Sequence, residues 1–251
     1  MSLLDNLDGK IKKEKELSTK KHLSPIEDAG DYVIVRDIQC IDADDNVFET
    51  YDELWVPKNV ELSEGRFSPM QFNIDEAIGH FSEKGNGWFL PSAPVTLNYL
   101  LKIFPEAVKK QSDGTYATIN EGLKKVIDRY HEFGLHVQNS LISYSTGEVI
   151  HYPQKNDFIY GCKDIDINSN KDAIRLNFDN SIQEFSLLSD CLKDKSKTRF
   201  VRQYSGVAEP QKLIELGEYY KQHFGRNKST MFGSALGNKD MTVACRIGCS
   251  G

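Results

Sequence analysis

No apolar run in this chain approaches the roughly 20 residues that a membrane-spanning helix requires, so no membrane span is expected. The first residues, MSLLDNLDGKIKKEKELSTKK, lack an apolar core followed by a small-residue cleavage site, and they do not read as a secretory signal. Cysteine is sparse: Cys40, Cys162, Cys191, Cys245 and Cys249 are odd in number and mostly far apart. A secreted disulfide scaffold is shorter and denser in cysteine, so the thiols read as reduced, mostly buried, in a cytoplasmic protein. Positive charge is in deficit, with 31 Lys and Arg against 37 Asp and Glu and a net charge of -6. That balance disfavours a general nucleic-acid binder, which needs a concentrated basic surface. There is no G-x-S-x-G elbow, no P-loop and no G-x-G-x-x-G after a strand. No cofactor and no catalytic residue is nominated by such a motif, and the expectation is a non-enzymatic protein.

What remains is ordinary globular sequence, 39% hydrophobic and 27% charged over 251 residues, enough for one sizeable core. Residues 1–24 read as an N-terminal helical arm, with Leu4, Leu7, Ile11 and Leu17 near one face and Lys10, Lys12, Lys13 and Lys15 around the rest. Such an arm docks on the body, joins copies of the chain into a homo-oligomer or lies on a membrane surface. Residues 25–251 read as a single α+β domain, with a mixed, mostly antiparallel sheet and flanking helices.

Residues 31–41 and 47–56 alternate and are rich in β-branched residues, so they predict a hairpin around the polar turn 42–46. A helix is expected over 75–84, with Asn73 and Glu76 as a capping box. Ser92 can cap the next helix, which carries Val95, Leu97, Leu100, Leu101, Ile103 and Phe104 and is apolar enough to be central. Residues 111–116 read as a polar turn. Thr118 and Glu121 suggest a capping box for a helix over 118–133. A second hairpin is expected over 141–152, then strands at 158–162, 173–178 and 198–204, a helix at 211–224 and a strand at 241–247; residues 185–192 fit helix or strand.

Three clusters invite chemistry. His131 and His136 bracket Gly134, but zinc ligands on one helix sit four apart and these are five apart. Asp164, Asp166, Asn168 and Asn170 open like a calcium loop, yet the sixth position is Ser169 and the twelfth is Arg175. No metal site is expected from either. Cys245 and Cys249 flank Arg246, and a nearby cation favours thiolate. A thiol-dependent enzyme using Cys245 or Cys249 is therefore the alternative function. Aromatics total 13 Phe, 11 Tyr and 2 Trp. Tyr204 and Tyr220 lie near a tail rich in Ser, Asn and Gly, the composition of adaptable binding surfaces.

One segment carries a resemblance. Ala77 and Phe81 on a helix, then Gly87, Trp88, Leu90, Pro91 and Ser92, then a second helix with Leu97 to Leu101, resemble the opening of a C-type-lectin-like domain of the formylglycine-generating-enzyme kind. Arg199-Phe200-Val201-Arg202 resembles the strand that closes such domains, and in an alternative register residues 241–247 close it. Variable proteins of diversity-generating retroelements use this scaffold and diversify residues just before the last strand. Asn227, Ser229, Thr230, Ser234 and Asn238 are the matching positions here. The resemblance implies a C-type-lectin-like fold and a ligand- or protein-binding module, a variable receptor-type protein among the candidates. Its expected ligand-binding residues are those five with Tyr204 and Tyr220, and its partner is a protein or small ligand of unknown identity.

Overall fold

A computed structural model of the chain describes residues 24–58, 87–132, 136–143, 146–152, 173–178, 198–223, 231–232 and 242–248. Strands β1 (Ile26–Ala29), β2 (Tyr32–Ile41) and β3 (Val47–Pro57) form an antiparallel sheet in the order β1-β2-β3. The 31–41 and 47–56 hairpin is thus present, and β1 adds an edge. The pairs Val33–Val56 and Val35–Leu54 are buried, while Tyr32–Pro57, Ile34–Trp55 and Arg36–Glu53 lie on the opposite face. At Asp37, whose φ of 57° is left-handed, the inward set slips by one residue, and Ile38 and Cys40 are buried beyond it.

Helix α1 (Ala93–Ala107) follows from its start signals. The Ser92 side chain accepts a hydrogen bond from Val95 N, and Pro94 occupies the first turn. Its buried residues, among them Val95, Thr96, Leu97, Tyr99, Leu100, Ile103 and Phe104, encircle the axis, as a central helix requires. It packs against β2, β6, α2, α3 and α4. The chain passes directly from α1 into β4 (Val108–Lys110), which pairs with β5 (Tyr116–Thr118) around Gly114. The expected polar turn at 111–116 is the tip of this small hairpin. Helix α2 (Glu121–Glu132) is capped by Asn120, whose Oδ1 accepts from Leu123 N at 3.1 Å. Thr118 belongs to β5, so the cap lies two residues further along than the sequence suggested.

A five-stranded antiparallel sheet has the order β8-β7-β6-β10-β9, from β6 (His136–Ser143), β7 (Glu148–His151), β8 (Ile174–Asn177), β9 (Met231–Phe232) and β10 (Thr242–Gly248). The second hairpin and the strands expected at 173–178 and 241–247 are therefore present. Helices α3 (Thr198–Ser205) and α4 (Lys212–His223) complete the described elements.

Residues 198–204 were expected as a strand, and the structure overturns this. Phe200, Val201 and Tyr204 are buried together at helical spacing. Arg199 and Arg202, three apart, reach Asp44 and Asp45 in the turn between β2 and β3. Aromatic and β-branched composition pointed to a strand, but the spacing of the buried side chains is helical. The chain therefore has no closing strand at 199–202.

One core joins these parts, drawing buried residues from β2, β3, α1, α2, β6, β7, α3 and α4. The molecule is α+β with antiparallel sheets. The N-terminal arm, the helix at 75–84, the strand at 158–162 and the ambiguous segment 185–192 lie outside the described residues.

Candidate functional site

Among the described residues, the N-terminus of α1 gathers a cluster of buried polar side chains. Ser92 caps the helix and also donates to Glu49 Oε2 at 3.0 Å, while Tyr51 donates to Glu49 Oε1 at 2.7 Å. Burial pushes the Glu49 carboxyl above its ordinary range, against the two hydroxyl hydrogen bonds, which pull it down. The first backbone N–H of α1, on Ala93, donates to Ser140 Oγ at 2.9 Å. Ser140 Oγ lies 2.8 Å from His151 Nδ1, and His151 Nε2 lies 2.8 Å from the Gln203 carbonyl. A carbonyl only accepts, so Nε2 carries the proton and Nδ1 accepts from Ser140. Burial lowers the His151 pKa to about 4, with the Gln203 carbonyl opposing.

A serine hydroxyl on a histidine nitrogen is the opening pair of a nucleophilic mechanism. Here both residues are fully buried, and Phe48 stacks on the imidazole with centroids 5.7 Å apart. The serine oxygen already accepts from Ala93 and donates to His151. The arrangement ties α1, β6, β7 and α3 together and offers no face to a substrate.

The thiols divide similarly. Cys40 is buried, and burial, then the neighbouring Glu49, push its thiol upward, away from thiolate. Cys245 sits at the irregularity of β10, where the register with β6 shifts between Ala244 and Arg246. Cys249 lies outside the described residues. His131 lies in the last turn of α2 and His136 opens β6, so the two histidines do not share a helix. Residues 164–170 lie outside the described residues, and Arg175 pairs with Glu148 on the neighbouring strand. Among the described residues no group of three or more His, Cys, Asp or Glu is placed to hold a metal ion. Nor is any described helix long and apolar enough to cross a membrane.

Of the residues expected to bind a ligand, Tyr204 and Tyr220 are core residues at 0% and 2% exposure. Tyr204 stacks with Phe200, and the Tyr220 hydroxyl donates to the Ile127 carbonyl at 2.8 Å. Both turn inward because they fall on the buried faces of α3 and α4, so neither lines a surface. Asn227, Ser229, Thr230, Ser234 and Asn238 lie outside the described residues.

A different surface stands out, on the outer face of the β1-β2-β3 sheet. Trp55 is 57% exposed, although tryptophan is highly buried on average. Tyr32 touches it edge-on at 5.9 Å and 62°, and Trp88 also approaches Tyr32, at 6.2 Å and 58°. Both tryptophans of the chain thus contact one tyrosine. Trp55 is paired across the ladder with Ile34, which is only 4% exposed. Beside the rings runs a charged row. Arg36 Nη2 donates to Glu27 Oε2 at 2.7 Å, and its Nε donates to Glu53 Oε2 at 3.0 Å. The other oxygen of Glu53 accepts from Trp55 Nε1 at 2.7 Å, which fixes the exposed indole. Sequence reading missed this surface because Trp55 sits in an alternating strand. Its exposure depends on a phase that only the sheet register sets.

Comparisons of the chain with protein-family models, with curated proteins and with solved structures find no match.

Proposed function

We propose that this chain is a ligand- or protein-binding module that works through the outer face of the β1-β2-β3 sheet. The observation that carries the reading is Trp55, more than half exposed yet held in one orientation by Glu53 and Tyr32. A fixed, exposed aromatic offers a large contact area at little conformational cost. Binding is also favoured over catalysis by the full burial of the Ser140–His151 pair and of Cys40.

For the finer fold, we infer a C-type-lectin-like scaffold. Its support is the Trp88-x-Leu90-Pro91-Ser92 run leading straight into α1, with Ser92 as the cap. With residues 198–205 helical, the register closing at 241–247 is the one retained, and β10 occupies that stretch. On that scaffold Asn227, Ser229, Thr230, Ser234 and Asn238 are the positions that match the diversified residues, and we infer that they contribute to binding.

The test is a thermal-shift panel of organic cations, saccharides, and acidic and basic peptides, run on the wild type and on Trp55→Ala. At least one class is expected to raise the melting temperature of the wild type and leave the variant unmoved. A panel in which every shift is shared by Trp55→Ala overturns the reading.

A further inference from the structure

Building on the binding reading above, we propose that the sheet face around Trp55 takes an alkylated organic ammonium ion, as on choline. The three rings supply the first reason. Tyr32 contacts both Trp55 and Trp88, with its plane inclined to each by about 60°. Rings so inclined do not stack into one flat platform, and they present π faces in more than one direction. A ring face is the negative part of an aromatic quadrupole, and tryptophan is the strongest acceptor of cations among side chains.

The charged row supplies the second reason. Two carboxylates surround one guanidinium, so the row carries one net negative charge. Its parts are unequally exposed. The Arg36 side chain is 12% exposed, whereas Glu27 and Glu53 are 49% and 40% exposed. The cation lies beneath the two anions, and the row turns an acidic edge to solvent beside the rings. Glu53 also accepts from the indole nitrogen, so the acidic edge and the principal ring are coupled through one side chain.

The openness of the site selects among cations. Trp55 stays more than half in water, so a compact, strongly hydrated primary ammonium gains little by approaching. A methylated ammonium is more weakly hydrated and carries apolar surface to lay on the rings. Tyr32 lies about 6 Å from each tryptophan, so the three rings form one contiguous patch on which a small headgroup can rest.

The test is a titration of the full chain with choline and with its neutral carbon isostere, 3,3-dimethyl-1-butanol, followed by NMR chemical-shift changes of the indole N–H groups. Choline is expected to bind in the millimolar range, at least fivefold more tightly than the isostere, and to weaken as salt rises. Trp55→Leu, which keeps apolar volume and removes the ring, is expected to lose the response of the remaining Trp88 indole N–H. Glu27→Gln is expected to weaken binding severalfold, with circular dichroism of both variants unchanged. Equal binding of choline and the isostere overturns the ammonium assignment while leaving a Trp55-dependent apolar site. No choline response, with a Trp55-dependent response to another class in the panel above, overturns this inference alone. The absence of any Trp55-dependent response overturns both.

Discussion

His151 enters the folded protein as the neutral imidazole, without the second proton that would charge it. Its pKa falls from the usual 6.5 to about 4, because the fully buried ring has no solvent to support a charge. The unfolded chain takes up that proton first, so stability falls as pH drops through 6.5 and stops falling for this group near 4. The difference amounts to about 3 kcal/mol. We expect the urea midpoint of the wild type to fall more between pH 7 and pH 4.5 than that of His151→Gln, since ordinary carboxylates contribute equally to both. Glu49 acts with the opposite sign: its raised pKa means that acidification relieves the penalty of holding a buried carboxylate. A midpoint drop as large in His151→Gln as in the wild type would remove His151 from the account. Neither role was legible in the sequence. Ser140 and His151 meet across a hairpin, eleven positions apart, and only the pairing Ser140–His151 in the ladder makes them neighbours. Ser92, by contrast, was readable, since a helix cap needs only local sequence.

At the scale of elements, α3 shows where composition misleads and spacing informs. Its buried Phe200, Val201 and Tyr204 repeat with helical period, and Gly206 ends it with a φ of 58°. That glycine is crowded: a Cβ there would lie 2.6 Å from Pro94 Cβ and 3.2 Å from Cys40 Cβ. Its carbonyl accepts from Ile41 N at 2.8 Å and from Asn98 Nδ2 at 3.0 Å. The left-handed backbone and the close approach both exclude a side chain. Gly206→Ala is expected to cost about 2 kcal/mol or more, read as a lowered urea midpoint with native circular dichroism. A second contribution comes from the α2–α4 contact, where the Tyr219 hydroxyl donates to Asp128 Oδ1 at 2.7 Å and Lys124 pairs with the same carboxylate. Tyr219→Phe removes one hydrogen bond to a charged group and is expected to cost about 1.5–3 kcal/mol in the same measurement. The helices α2 and α4 were legible because each shows an apolar face and a local stop, and α1 because Ser92 and Pro94 mark its start. The β4–β5 hairpin was not, because three-residue strands carry too little pattern.

For the whole molecule, the sequence disclosed an α+β chain with antiparallel hairpins, because alternation and turn residues are local signals. It did not disclose strand order. β6 is central in the five-stranded sheet, and its second neighbour is β10. It also did not disclose which face of the first sheet meets water, and so concealed the Trp55 surface. That surface predicts a separation of binding from stability: Trp55→Ala should leave the denaturation midpoint within the range of surface substitutions, about 0.5 kcal/mol, while losing the ligand response. A large loss of stability would instead make Trp55 part of the structural frame.

The adjacency of β6 and β10 also bears on how the chain is made. Thr242 pairs with Ser143, 99 positions earlier, whereas β1 pairs with β2 and β2 with β3, each its immediate successor. On a ribosome the first sheet and the α1–α2 pair can therefore assemble while much of the message is still unread. β6 meanwhile waits with one backbone edge bare until residues 242–248 emerge. An open edge invites strands from other chains. Synthesis stalled anywhere between those points should yield a species that needs chaperone protection, although its first sheet has already formed.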